Sequence, residues 1–265
     1  MKLIKTARCS EIRDRLYAFR TTTVLLPLGA LLVTCSAGSL FAQINPAQLM
    51  DRNSSSPQIV SRNQLLAPVK ALRAIDRAHK DILDGHLDSA QKEINRAIDI
   101  APHFAAAKVL QGAIDLETKN YERATNFFQQ AIDDDPALGG AYVGMAMVLI
   151  HQGRFQAALP LLEHAEGLLP GAWFVRFAEA WAQLELGNIE AALKQADYAE
   201  RMAGTDSEKR SGVSYLRAMV FTHINDMDTA RLQLAEAVAL GHGCEYAALA
   251  QRELERLQPL LAARQ

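Results

Sequence analysis

A repeat with a period of about 34 residues is the feature that most restricts what this chain can fold into. Pro102, Pro136 and Pro170 are evenly spaced at this period. Two series of alanines keep the same spacing and continue after a short insertion: Ala90, Ala124, Ala158, Ala192 and Ala230, and Ala97, Ala131, Ala165, Ala199 and Ala237. Such a period is typical of chains that stack one small unit many times. The pattern predicts a repeat domain over residues 68–244.

Each unit has the pattern of two helices. Tyr121, Ala124 and Phe128 recur at steps of three and four, which places them on one face of a helix. The alanines allow a neighbouring helix to approach closely, and Phe128 is expected to fill the space between layers. Because one helix pair cannot bury its own apolar face, the copies must stack. The sequence predicts an all-α fold.

The turns between the helices are marked as well. Gly85, Gly153, Gly187 and Asn225 stand where the first helix of a unit must end, and these residue types tolerate left-handed backbone. The second copy has Lys119 at that place and is expected to lack this cap. The run 133–135 lacks the glycine and the distant glutamate of a calcium loop, so it predicts a solvated turn before Pro136.

This pattern resembles the tetratricopeptide repeat (TPR) family, whose motif has small residues at its eighth, twentieth and twenty-seventh positions and proline at its thirty-second. Placing the prolines there defines the copies 71–104, 105–138, 139–172 and 173–206, with a divergent fifth at about 211–244. The eighth positions are all small: Ala78, Gly112, Ala146 and Ala180. The resemblance implies a right-handed superhelical solenoid of about five helix-turn-helix repeats. A C-terminal capping helix and tail would occupy residues 245–265.

The resemblance also implies a binding surface. In TPR folds the second, fifth, ninth and twelfth positions of each first helix tend to line the concave side, and here those positions form an apolar stripe. The Lys, Arg and Asn set with which some family members clamp a carboxylate is absent. We expect an apolar groove that accepts an amphipathic helix or an apolar peptide. Its expected partner-binding residues are Met147, Phe174, Phe177, Trp181, Tyr215 and Met219.

Two other interpretations of the stripe remain open. The first helices are rotated in one of them, so that the stripe is core while Arg176 and Glu179 face solvent. In the other, residues 43–67 of the chain itself fill the groove. Polar residues at the fourth, seventh and eleventh positions, such as Lys108 and Gln111, favour the rotated interpretation because the motif usually has large apolar residues there.

Residues 1–42 have the order of a signal peptide. A segment of net charge +4 (1–20) precedes the apolar run Val24–Val33, and small residues follow to Ala42. The run is shorter than the roughly 20 residues that cross a bilayer, so cleavage after Ala42 is favoured over an uncleaved anchor. A lipid-modified start at Cys35 is a minority alternative. We expect an exported bacterial protein, periplasmic or secreted, with a flexible linker over 43–67 and membrane attachment only through the N-terminal segment.

The residues do not predict catalysis. The net charge is −2, and −6 without residues 1–42, so a nucleic acid partner is not expected. HExxH, GxSxG, Walker and GxGxxG motifs are absent, and only Cys244 follows the leader. No catalytic, metal or cofactor site is predicted; Asp76 with His79 is too common a helical pair to indicate metal. The sequence favours a non-catalytic adaptor or assembly factor with a protein or peptide partner. The alternative is a structural scaffold that oligomerises through its end repeats, and an enzyme is the least favoured.

Overall fold

Eleven helices and no strand make up the part of the chain that the structure describes. The computed structural model describes Asn63 and residues 66–262, so the predicted leader and nearly all of the predicted linker lie outside the described residues. The helices are α1 (Val69–Leu83), α2 (Leu87–Ile100), α3 (Ala105–Glu117), α4 (Tyr121–Asp134), α5 (Gly139–His151), α6 (Phe155–Leu168), α7 (Trp173–Glu185), α8 (Ile189–Ala203), α9 (Ser207–His223), α10 (Met227–Gly241) and α11 (Glu245–Ala262).

The helices pack as five consecutive pairs followed by a single last helix. In each pair the odd-numbered helix contacts the even-numbered helix after it, and each pair then contacts the next pair along the chain. Odd-numbered helices of neighbouring pairs also touch, and α11 packs on α10 and α9. The prediction of an all-α stack of helix pairs is confirmed.

The periodic alanines explain how closely the helices pack. All the alanines of the two series have no solvent-accessible surface, and each lies on the even-numbered helix of its pair. A methyl side chain at these points lets two helix backbones approach, and a larger side chain would overpack the contact. The period in the sequence is therefore a packing requirement that repeats once in every pair.

Phe128 lies between two layers of the stack, as its position in the pattern predicts. Its side chain, on α4, is fully buried. Glycines of α3 and α5 make room for the ring: a Cβ built on Gly112 would lie 3.0 Å from ring atoms of Phe128, and one built on Gly144 would overlap them. The absence of two side chains thus shapes the space that one large side chain fills.

Left-handed backbone ends the first helix of each pair. Gly85, Gly153, Gly187 and Asn225 have φ angles of 77°, 72°, 77° and 63°. The expectation that Lys119 would lack this cap is wrong, because its φ is 61° and its amide donates to the carbonyl of Leu116 at 2.9 Å. The turn geometry is required by the packing of the pair, so it overrides the preference of a residue with a Cβ.

Lys119→Gly is expected to stabilise the protein by about 1 kcal/mol, because glycine adopts this conformation without the steric penalty of a Cβ. Urea unfolding followed by circular dichroism measures the change. Lys119→Ala is the matched control: it removes the same charge but keeps the Cβ, so its unfolding midpoint should stay close to that of the parent. Equal midpoints for the glycine and alanine variants would contradict the strain argument.

The acidic turn before Pro136 is not solvated as the sequence predicted. Asp135 is buried, and its Oδ1 accepts a hydrogen bond from the amide of Ala137 at 3.2 Å. Asp134 pairs with the ammonium of Lys108 and with the ring of His103. Burial alone would raise the pKa of Asp134, but the hydrogen bonds from Lys108 and His103 hold it below its ordinary value. The acids join α4 to α3 and to the turn between α2 and α3.

Candidate protein-interaction surface

A column of aromatic side chains runs along one face of α7. Trp173, Phe177 and Trp181 follow one another at intervals of four residues, so they lie on the same side of the helix. The ring of Phe177 meets Trp173 edge-on at a centroid distance of 5.4 Å and lies 6.4 Å from Trp181. The spacing of four residues predicts this column, because it places the three large rings on the apolar face of one amphipathic helix.

Tyrosines from the two following odd-numbered helices complete the cluster. Tyr215 of α9 stacks on Trp181 with centroids 6.5 Å apart, and Tyr246 of α11 lies 5.5 Å from Phe177 and 6.3 Å from Tyr215. The ring of Tyr246 lies over the bare backbone of Gly212, where a Cβ would come within 2.9 Å of it. We call Trp173, Phe177, Trp181, Tyr215 and Tyr246 the aromatic cluster.

The structure brings together part of the set predicted to bind a partner. Phe177, Trp181 and Tyr215 contact one another within the aromatic cluster and are largely buried. Met147 is buried on α5, whereas Phe174 and Met219 are half-buried. Binding at these residues stays a prediction, and the two half-buried side chains are its accessible members.

Trp173 and Tyr246 belong to the aromatic cluster although the sequence interpretation did not include them. Trp173 precedes Phe177 by one helical turn, which is a signal that the helical period contains. Tyr246 follows Gly212 by one full repeat period, so it takes the second position of a sixth, incomplete copy. Treating residues 245–265 only as a cap concealed that this helix continues the series of odd-numbered helices, whose side that carries the aromatic cluster we call the inner face.

Two polar atoms in the aromatic cluster have no hydrogen-bond partner. They are the indole Nε1 atoms of Trp173 and Trp181, whose residues are only 6% and 9% exposed. A buried donor without an acceptor is unfavourable by about 1–3 kcal/mol relative to a paired one. The cluster therefore combines a large aromatic surface with two unused donors.

The opposite face of α7 is polar and yet not solvated. Arg176 pairs with Glu166 of α6 and Glu179 of α7, and it also donates to the side chain of Gln195 of α8 at 3.0 Å. Gln195 in turn donates to Glu179 at 2.7 Å. The rotated interpretation is wrong in placing Arg176 and Glu179 in solvent, but most of the stripe is buried, as that interpretation expected. These side chains are 16% and 17% exposed, because α6 and α8 cover them.

Within this network, Glu179 is the residue whose charged form is disfavoured by burial. Burial raises the pKa of its carboxyl group, and the guanidinium of Arg176 only partly opposes that rise. The paired charges join α7 to α6 and to α8 on this side of the helix.

A second polar network occupies α3. Gln111 is buried, donates to Gln91 of α2 at 3.0 Å and to Asp115 at 3.2 Å, and so joins two neighbouring pairs. Arg123 of α4 lies 3.6 Å from Asp115. The polar residues of α3 that depart from the family motif are therefore paired with polar side chains of α2 and α4.

Asn63 is the one described residue before position 66. Its side chain donates to the carbonyl of His103 at 2.6 Å and accepts from the amide of Ala105 at 3.3 Å, at the start of α3. The rest of the segment predicted to fill the groove lies outside the described residues, so that interpretation stays a prediction.

His79, which forms the helical pair with Asp76 on α1, is a buried histidine. Burial lowers the pKa of His79 from its ordinary value. Among residues 66–262 and Asn63, no group of three His, Cys, Asp or Glu side chains is arranged to hold a metal ion. Within these limits no helix combines the length and the apolar character that a bilayer crossing requires.

Comparisons with known proteins agree with this architecture. Two family models, each described as tetratricopeptide repeat, match residues 115–165 and 177–243. A solved TPR protein of Thermus thermophilus, TTC0263, superposes with a TM-score of 0.61 at 16% identity, over 69% of this chain and 98% of that one. The Cut9–Hcn1 hetero-tetramer of the anaphase-promoting complex gives a TM-score of 0.56 at 17% identity, over 96% of this chain and 48% of that one. At these identities the similarity shows the fold alone.

Two curated proteins of Schizosaccharomyces pombe are similar in sequence. Anaphase-promoting complex subunit 3 is 28% identical over 151 residues, which are 57% of this chain and 22% of that protein. Superkiller protein 3 is 29% identical over 82 residues, 31% of this chain and 6% of that protein. The chain thus spans a small part of the length of the curated relatives that it matches.

Proposed function

Because this chain belongs to the tetratricopeptide repeat family, we propose that it is a non-catalytic adaptor or assembly factor of a bacterial cell envelope. Proteins of this family generally mediate protein–protein interaction or assembly. The proposed ligand is an apolar peptide or an amphipathic helix, and the proposed site is the inner face around α7. Fold similarity gives only the class of function, so the kind of ligand is inferred from the chemistry of the site.

The observation that carries the proposal is the aromatic cluster with its two unpaired indole donors. Aromatic residues, tryptophan above all, provide much of the binding energy where proteins meet, and a buried N–H without a partner would donate to a carbonyl oxygen of the ligand at no further desolvation of the donor. Phe174 and Met219 are half-buried and lie on the two helices that supply most of the cluster. A partner would first contact these two side chains.

A selection of displayed helical and extended peptides on the purified full chain tests the site. Peptides that bind the parent should lose at least tenfold in affinity against Phe174→Ala with Met219→Ala. The matched control is Ile224→Ala with Leu232→Ala, which removes exposed apolar side chains elsewhere and should leave affinity unchanged. Equal loss in both variants, or in neither, would reject the inner face as the site. Phe177 and Trp181 are unsuitable for this test, because their burial makes alanine variants unstable.

A second candidate function, self-assembly through the end repeats, is favoured by the distribution of exposed apolar side chains. Among the described residues the large exposed ones all lie at the first or the last helix pair: Leu66, Val69, Leu87, Ile224 and Leu232. Light scattering separates the two functions. A scaffold gains mass with rising concentration in the absence of peptide, whereas an adaptor stays at one mass until a partner is added.

The envelope location is part of the proposal and is supported by the order of charge, apolar run and small residues over 1–42. Cell fractionation with antibody detection tests it. A protein confined to the cytoplasmic fraction would remove the location from the proposal without affecting the inner-face test.

A further inference from the structure

The first helix presents a face on which positive charge predominates. Four exposed cations follow one another at steps of three and four residues along α1: Lys70, Arg73, Arg77 and Lys80. At 100° per residue these steps keep the four side chains within about a quarter of the circumference of the helix. The two acids of α1, Asp76 and Asp81, lie at the edges of this face, and Asp81 accepts a hydrogen bond from the hydroxyl of Ser89 at 2.6 Å. Asp84, the exposed residue that ends α1, follows Lys80 by one turn in line with the cations.

Most of these cations lack an acidic partner. Arg77 pairs with Glu93 of α2 at 3.1 Å. In the described part of the chain no carboxylate lies within ion-pair distance of Lys70, Arg73 or Lys80. The positive charge of this face contrasts with the net charge of the chain, which is −6 without residues 1–42.

Two large apolar side chains adjoin the cations. Leu66 is 70% exposed and Val69 is 61% exposed, the two highest values among the exposed large apolar residues of the described chain. Val69, Arg73 and Lys80 lie at i, i+4 and i+11 of α1, which places an apolar side chain directly in line with the charges. We call Leu66, Val69, Lys70, Arg73, Arg77 and Lys80 the N-terminal patch.

We infer that the N-terminal patch docks on an anionic phospholipid surface. Cations attract the lipid phosphates, and exposed apolar side chains among them enter the boundary between headgroups and acyl chains. The inference goes beyond the proposed function, because it uses the opposite end of the stack from the aromatic cluster and does not require a peptide ligand.

Three alternative roles explain only some of the features of the N-terminal patch, which are its single sign of charge and its two exposed apolar side chains. A terminal repeat needs a polar outer face for solubility, but solubility requires neither one sign of charge nor two exposed apolar side chains. A second copy docked on the same patch would bring its cations against those of the first. An acidic protein would satisfy the charges, and it would leave Leu66 and Val69 without a role.

The chain between the N-terminal apolar run and the patch is long enough for both to lie at one membrane surface. The apolar run ends at Val33, and residues 34–65 separate it from Leu66. A segment of that length reaches at most about 115 Å when fully extended. Stable membrane attachment generally takes two signals. The patch would be the second signal where the N-terminal segment is retained or lipid-modified at Cys35, and the sole and reversible one after cleavage at Ala42.

An environment-sensitive fluorophore tests the inference at the patch itself. It is attached to Leu66→Cys in the full chain, with Cys9, Cys35 and Cys244 replaced by alanine, so the fluorophore reports the surroundings of position 66, and the charge variants of the patch separate its binding from that of the N-terminal segment. Vesicles of phosphatidylglycerol and phosphatidylcholine should shift its emission to the blue, and vesicles of phosphatidylcholine alone should not. Salt at about 1 M should abolish the shift, because it screens the phosphates.

Charge variants then identify the cations responsible. Lys70→Gln with Arg73→Gln and Lys80→Gln should weaken partition to the anionic vesicles about a hundredfold, since each cation near such a surface contributes roughly a factor of five. Lys92→Gln with Lys194→Gln and Arg231→Gln changes the net charge equally, at exposed positions on even-numbered helices. This control should bind like the parent.

Four outcomes would overturn the inference. They are a shift with uncharged vesicles, an equal shift in the variant of the patch, a shift with polyglutamate but not with vesicles, and a shift that grows with protein concentration without lipid. The third would assign the patch to an acidic protein, and the fourth to a second copy of this chain.

Discussion

Phe128→Ala is expected to lower the free energy of unfolding by about 3–5 kcal/mol, the largest effect of any single truncation in the described chain. The ring is fully buried between α3, α4 and α5, and three neighbouring helices would lose their common contact. Because the two glycines beside it have no side chains to collapse into the space, the cavity should stay open. Urea unfolding followed by circular dichroism measures the loss.

A double-mutant cycle of Phe128 and Gly144, the glycine that its ring overlies, tests this prediction further. Gly144→Ala alone should destabilise by about 1–3 kcal/mol, because the new methyl group overlaps the ring. In the Phe128→Ala background the same methyl group enters vacated space, and its penalty should disappear. Gly167→Ala on α6 is the matched control. A Cβ there meets no atom within 4 Å, so the change should stabilise the helix by about 0.5–1 kcal/mol. Additive effects at Phe128 and Gly144 would contradict the packing.

Arg176→Met is expected to destabilise by about 3–5 kcal/mol at neutral pH, because it leaves the carboxylate of Glu179 buried without its cation. The loss should shrink as the pH falls. Burial already raises the pKa of Glu179, and removal of Arg176 raises it further. The folded variant then takes up a proton at a higher pH than the unfolded chain, whose glutamate titrates near 4.5. Stability relative to the parent therefore recovers from neutral pH down towards 4.5.

The double variant Arg176→Met with Glu179→Met is the control for this effect. It removes both charges, so most of the lost stability should return and the extra pH dependence should vanish. Unfolding in urea at a series of pH values measures both quantities. A single variant whose loss is the same at pH 7 and pH 5 would show that Glu179 is not the affected group.

The parts of the fold that were predictable are those where packing requires a side chain of a given size. The periodic alanines marked the buried positions of every even-numbered helix from α2 to α10, and the face of Phe128 followed from its spacing with Ala124. Gly144 was not predicted, because a missing side chain produces no period and the motif does not require a small residue at its position. The space that it leaves is apparent only with the ring in place.

The polar residues show a different limit. Arg176 and Glu179 lie where the motif expects apolar side chains, and charge by itself suggested solvent. Their burial follows from partners on α6 and α8 that are distant in sequence. The backbone of Lys119 shows the same limit of sequence-based prediction, because its left-handed turn is imposed by the helices around it. Tyr246 was predicted to lie in the cap, but its contact with Phe177 depends on a stacking geometry that spacing alone does not define.

That contact between Tyr246 and Phe177 affects how the stack comes apart. In an array where each unit touches only the next, the ends fray one unit at a time. Here a side chain of the sixth, incomplete unit reaches the fourth across Gly212, so the last units share one contact that none can lose alone. The C-terminal part of the array should consequently melt as a single cooperative block, while the N-terminal part opens stepwise.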